Sequence, residues 1–104
     1  MVLAEEAVIE IEAGGIDDPV AEEVYRNLQV LYGTHTGEQG LDRNFGIDAN
    51  ITDYPQVSAQ ALLAAEIVRK TQQYEPRAQV IRVEWAESKT VEGNLVPKVV
   101  IKIV

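Results

Sequence analysis

Residues 72–80 read QQYEPRAQV, and the fold is decided by the change of periodicity across them. Upstream, Leu62, Ala65 and Arg69 recur on one helical stripe and Leu63, Ile67 and Tyr74 on a neighbouring one. That spacing predicts an amphipathic helix from Gln56 or Ser58 to Gln73, its many alanines suiting close packing against another element. Downstream, Ile81, Val83 and Trp85 alternate with Arg82 and Glu84, the period-two pattern of a strand. Between the two, the Pro76 ring excludes helical backbone at the residue before it, so Glu75 is extended and the helix stops near Tyr74. A corner results, with Glu75 and Arg77 projecting from it. The planar fork of Arg77 can hold a carboxylate through two hydrogen bonds. Two uses are open to it: an ion pair inside the domain, or a preformed grip on a partner chain.

Working outward, Glu92-Gly93-Asn94 makes a turn and the chain returns from Leu95 as a second strand. Val99, Ile101 and Ile103 share one face of it, and Lys98, Val100 and Lys102 the other. Toward the N-terminus, residues 7–13 alternate, with Ile9 and Ile11 on one face and Glu10 and Glu12 on the other, until Gly14-Gly15 stops the strand. Asp17-Asp18-Pro19 then supplies a capping carboxylate and a proline for a first helical turn. Val20, Val24, Leu28 and Leu31 continue at helical spacing, which predicts a helix over 19–32. Residues 33–55, GTHTGEQGLDRNFGIDANITDYP, carry four glycines and no sustained period. They form a long connection with a short hairpin inside it, and loops of that length in a small domain tend to be functional. The order strand, helix, long loop, helix, strand, strand predicts one α+β domain over residues 1–104. Its sheet is small and mixed or antiparallel, with two helices and a C-terminal β-hairpin.

The 104 residues include 17 acidic and 9 basic side chains, a formal charge of −8. Such a surface is repelled by nucleic acid and by anionic membranes, so neither is an expected partner. Without cysteine, and with the single histidine His35, the chain has neither a thiolate zinc site nor a two-imidazole one. Asp48-Ala49-Asn50 with Asp53 lacks the glycine and terminal glutamate of a calcium loop, and the glycines of GTHTGEQG lack the Gly-Lys-Ser/Thr ending of a phosphate loop. No metal and no cofactor is expected. The stretch MVLAEEAVIEIEAGG has acids where a signal peptide has a basic region, and no segment approaches the roughly 20 apolar residues of a membrane span. A soluble protein made in the cytoplasm is expected.

Tyr74-Glu75-Pro76-Arg77 between a helix and a C-terminal hairpin, with Gly37-Glu38 and Phe45-Gly46 in the upstream loop, resembles a family of small baseplate proteins. These are the baseplate wedge and sheath-initiator proteins of contractile phage tails, tailocins and type VI secretion baseplates, historically labelled lysozyme-like. The resemblance runs from the first helix to the C-terminus. One departure stands in the loop, Leu41-Asp42-Arg43-Asn44-Phe45-Gly46, where the family pattern has proline and glutamate before Phe-Gly. The resemblance implies a non-enzymatic structural protein, six copies per particle, made in a bacterial host and built into a tail baseplate. It further implies that Glu75, Pro76 and Arg77 contact the wedge core proteins, that Gly37, Glu38, Phe45 and Gly46 shape the adjoining loop, and that the sheet receives strands from the tail sheath protein.

The last strand agrees with that implication in its own chemistry. Val99, Val100, Ile101, Lys102, Ile103 and Val104 form an apolar segment without an acid, suited to strand addition if it lies at a sheet edge. Pro97 and the lysines would blunt such an edge in part, and residues 8–13 offer a further one. Two other functions compete. A peptidoglycan glycosidase, as the old label suggests, needs two carboxylates about 5–10 Å apart, one with a raised pKa. Glu38, Asp42, Asp48 and Glu75 are the candidates, but one Trp and one Phe leave little surface to stack on sugars. His35, between two threonines, has no cysteine to activate and reads as a surface residue. The alternative from a different class is a soluble adaptor of the same fold that binds one cellular protein as a free monomer.

Overall fold

Proline placement sets both helix boundaries. In the computed structural model, which describes residues 2, 6–12, 19–37, 40, 42–89 and 93–104, the chain forms a strand β1 (Val8–Ile11), a helix α1 (Pro19–Gly33), a helix α2 (Gln56–Tyr74) and two strands, β2 (Ala78–Glu87) and β3 (Leu95–Ile103). Pro19 opens α1 at its first turn, where a missing N–H costs nothing. Pro55 stands immediately before α2, and Pro76 follows its end. The expected Gly14-Gly15 stop, the Asp17-Asp18 cap and Glu92 of the hairpin turn lie outside the described residues.

The sheet is mixed, in the order β1-β3-β2. β1 runs parallel to β3, Val8 opposite Lys98 and Ile11 opposite Ile101. β2 runs antiparallel to β3, from Ala78 opposite Ile103 to Glu87 opposite Leu95. The hairpin closes through Gly93 at φ +83° and a Ser88 N–H bond to the Asn94 carbonyl.

The C-terminal strand is therefore central, which corrects the expectation that it forms an edge. From 99 to 101 it is flanked on both sides, and only Lys102, Ile103 and Val104 lie past the last paired residue of β1. The edges belong to β1 and β2. A second correction concerns β2, where a bulge between Val80 and Arg82 leaves Ile81 unpaired and 43% exposed. Such an extra residue reverses the alternation on either side of it. The inward set is accordingly Val80, Val83 and Trp85.

Both helices pack on one face of the sheet. Val24, Leu28 and Leu31 of α1 and Ala59, Leu63 and Ile67 of α2 meet Ile9, Val99 and Ile101 in a single core. Each fully buried side chain of this size contributes about 1.5–3 kcal/mol. Val20, expected inside, is 40% exposed, and Ala21 takes the inward place. Near the core, Thr71 donates to the Ile67 carbonyl, so the Tyr32 hydroxyl is the donor in its 2.7 Å bond to Thr71 Oγ1. Burial pushes the Tyr32 phenol up to about 12.

The other face carries ion pairs, some across strands and one along β2. Lys98 bonds Glu10 at 2.8 Å, Arg82 bonds Glu84 at 2.7 Å, and Arg82 reaches toward Glu12 at 3.6 Å. Beneath their aliphatic stems Val100 is fully buried.

Candidate functional site

Glu75 caps the end of α2 with a non-helical backbone short of the expected extended one (φ −141°, ψ 73°), its N–H still bonded to the Thr71 carbonyl. The Ala78 N–H returns to the Glu75 carbonyl at 3.0 Å and closes the turn around exposed Pro76. The Val104 N–H donates to the Arg77 carbonyl at 2.9 Å, fastening the turn to the end of β3. Backbone alone thus fixes the corner on both sides.

Side chains then lock it to α1. Arg77 grips the Glu75 carboxylate with both arms of its fork, Nε to Oε1 at 2.8 Å and Nη2 to Oε2 at 3.1 Å. Asn27 of α1 donates to the same Oε2 at 2.9 Å, and Arg77 Nη1 reaches Glu23, one helical turn earlier, at 3.3 Å. Glu75 is only 4% exposed. The Arg77 bond holds its carboxyl below the usual range against the opposing effect of burial, with Asn27 helping. Arg77 is held correspondingly high by Glu75 and Glu23. Of the two uses open to the fork, the internal one is occupied. Three of the five guanidinium N–H groups are engaged here, so the remaining two are what the turn can offer outward.

Beside the turn lies a recess of about 180 Å³ lined by Asn27, Val30, Leu31, Phe45, Tyr74 and Glu75. The loop reaches it through two glycines. Gly37 stands at φ +94° and bonds the Arg43 carbonyl through its N–H. At Gly46 (φ +107°) an added Cβ would sit 2.4 Å from the Thr34 carbonyl oxygen, so the site admits glycine alone. With the chain turned there, the Phe45 ring packs edge-on against Tyr74, centroids 5.1 Å apart. The Tyr74 hydroxyl is buried and makes no hydrogen bond to a described residue. Burial raises its pKa, and the nearby Asp42 carboxylate, not in bonding geometry, raises it further. The structure thus brings Phe45 beside the Glu75-Pro76-Arg77 turn, with Gly46 and Gly37 in the same loop; Glu38 lies outside the described residues.

The loop is pinned to α2 by groups that the sequence pattern passed over. Lys70, 3% exposed, donates to the Asn44 carbonyl and stands over the Tyr74 ring. Buried Glu66 accepts the Asp48 N–H at 3.1 Å and pairs with Arg69. Lys70 falls on the stripe of Leu63, Ile67 and Tyr74, a position from which an inward lysine could have been anticipated. Asn27 and Glu23 share a face of α1, but no local signal relates them to a turn some 50 residues later. The expected hairpin within the loop is instead a parallel bridge of His35 with Ile47, followed by a short 3-10 helix, Ala49–Asp53. His35 is half-buried there, not fully exposed.

The described glycosidase candidates, Asp42, Asp48 and Glu75, take structural roles. Asp42 and Asp48 accept backbone N–H groups of Asn44 and Asn50 in their own turns. Glu75 is held ionised, the opposite of what a general acid requires.

A second surface lies at the free side of β1. Because the Glu12 N–H points to the Ile101 carbonyl of β3, the alternation of a strand turns the N–H and C=O groups of Ile9 and Ile11 the other way. No described residue pairs with them. Next to them a mostly apolar groove of about 500 Å³ runs between β1 and α1, lined by Ile9, Ile11, Ala21 and Tyr25 with Glu10 and Glu22 at its rim. Among the described residues no helix is long and apolar enough to cross a membrane.

No protein-family model matches the chain, and no curated protein matches it. Among solved structures it is similar to a chain in the cryo-EM structure of the anti-feeding prophage (AFP) baseplate, six-fold symmetrised. The likeness has a TM-score of 0.67 at 22% sequence identity and covers 88% of this chain and 70% of that one.

Proposed function

We propose that this protein is a non-enzymatic structural component of the baseplate of a contractile tail or injection particle, joining the wedge core to the first ring of sheath. The observation that carries the proposal is the shared fold with the anti-feeding prophage baseplate chain over most of the length. Two features described above support the finer roles. The turn at Glu75, Pro76 and Arg77 is rigid before any partner arrives, so docking there freezes few additional torsions. Its contact with the wedge core is shape-based, with exposed Pro76, the outward N–H groups of Arg77 and the recess beside Phe45. The exposed edge of β1 supports strand addition by sheath, in place of residues 99–101. Lys102, Ile103 and Val104 extend that accessible margin. Main-chain hydrogen bonds give such a junction strength without demanding a particular side chain, which suits a sheath that moves while staying tethered. Six copies, one per wedge, follow from this assignment.

The experiment is negative-stain electron microscopy of lysates from cells with and without the gene, scored for complete contractile particles. Loss of particles, or tubes and baseplates without sheath, supports the assignment; unaffected particles overturn it and leave the free adaptor in its place. Val30→Arg then tests the turn region. Val30 is 57% exposed at the rim of the recess, so the variant folds normally while wedge assembly fails. Normal assembly of that variant would remove the recess from the interface.

A further inference from the structure

The charges on the outer face of the sheet are arranged in columns. β3 contributes Lys98 and Lys102 and β1 contributes Glu10 and Glu12, so a basic strand lies beside an acidic one. Among the described residues that acidic column is paired through Lys98 of β3 and Arg82 of β2. A carboxylate has about four lone-pair sites, and Glu10 and Glu12 remain roughly half exposed. On the opposite face of the same edge, the groove is apolar, and small Ala21 leaves room between Ile9, Ile11 and Tyr25.

From these two faces we infer the chemistry of the segment that adds to β1. It is an extended stretch of another chain in which apolar residues alternate with lysine or arginine, the apolar ones entering the groove and the cations continuing the ladder beyond Glu10 and Glu12. Its main chain bonds to Ile9 and Ile11. Acidic residues at the alternate positions would stand beside Glu10 and Glu12, an arrangement that disfavours pairing. Glu22, which also lines the groove, adds a further negative charge near the incoming segment. This inference rests on the strand-addition role proposed above and adds the selection rule for the incoming strand.

The test uses nine-residue peptides of alternating valine and lysine, valine and serine, or valine and glutamate, with a block-ordered peptide of the same valine and lysine content as control. Binding is measured by fluorescence anisotropy, and the site by hydrogen-exchange protection of the Ile9 and Ile11 amides. The expected result is protection of both amides by the valine–lysine peptide, with affinity about tenfold above valine–glutamate. That gap should narrow with added salt and collapse in the Glu10→Gln, Glu12→Gln variant, while the valine–serine peptide binds wild type and variant alike. Equal protection by all three alternating peptides overturns the charge rule and leaves strand addition standing. Binding of the block-ordered peptide as tightly as the alternating one, or binding without protection of Ile9 and Ile11, reduces the effect to general attraction by an acidic protein and overturns the inference. If no peptide protects those amides, strand addition at β1 falls together with its selection rule.

Discussion

Glu75 and Arg77 show how little two charged residues on either side of a proline reveal about direction. Their types and the intervening proline predict a rigid corner with a forked cation, and the structure has both. What the fork holds was not legible, because the answer depends on Asn27 and Glu23, brought in by tertiary packing from α1. A substitution at Glu75 consequently acts on folding. Glu75→Gln should lower stability by about 1–3 kcal/mol at neutral pH, by weakening a charge-assisted pair at a buried site. The sign with pH follows from the lowered carboxyl. Its stabilisation is present above the ordinary value of 4.5 and is lost as pH falls through the lower folded value, whereas the glutamine variant lacks this component. Urea unfolding of both proteins between neutral pH and about pH 3 should show the two curves converging in acid. A constant gap across that range would contradict the assignment. Gly46→Ala should cost on the order of 1–3 kcal/mol or more, from its positive φ and the collision with Thr34, and loosen Phe45 from Tyr74. Thermal melting and the near-ultraviolet signal of Tyr74 would record both effects.

Element order was legible because each segment is strongly patterned, and α2 ends within one residue of its expected limit for the steric reason given by Pro76. Strand order was not. The alternation of residues 95–103 states which face is buried and says nothing about how many neighbours the strand has, since a central strand in a one-face-covered sheet looks the same as an edge strand. Full burial of Val100 on the charged face came from long side chains of adjacent strands, another non-local cause. The bulge was hidden in a similar way, for Ile81 fits the period of Val83 and Trp85 and is displaced only by the shift in register between β2 and β3. Ile81→Thr supplies the corresponding expectation. As an unpaired, exposed residue of an edge strand it should change stability by no more than about 0.5 kcal/mol, whereas Val83→Thr, with its side chain against the core, should cost clearly more. Equal losses at the two positions in chemical denaturation would refute the bulge.

On the scale of the whole molecule, the charge of −8 is unevenly used. Lys98 of β3 pairs with Glu10 of β1 and reaches Glu84 of β2, while Glu10 and Glu12 keep an acidic margin along β1. Acidity in the composition therefore has a local meaning as well as the global one of repelling nucleic acid. The central place of β3 has a different consequence, in time. β1 and β2 each pair with β3 and not with each other, and β3 follows the other described elements in chain order. During synthesis every earlier element waits for it, since the core formed by Ile9, Leu28 and Ile67 closes only on Val99 and Ile101. Ribosome-stalled chains ending at Gly93 should be digested by added protease, and those with residues 95–104 clear of the exit tunnel should resist it. Early resistance would mean that the helices fold without the sheet. With late closure, a chain that stops short of β3 has its helices and outer strands but no central strand to close the core on.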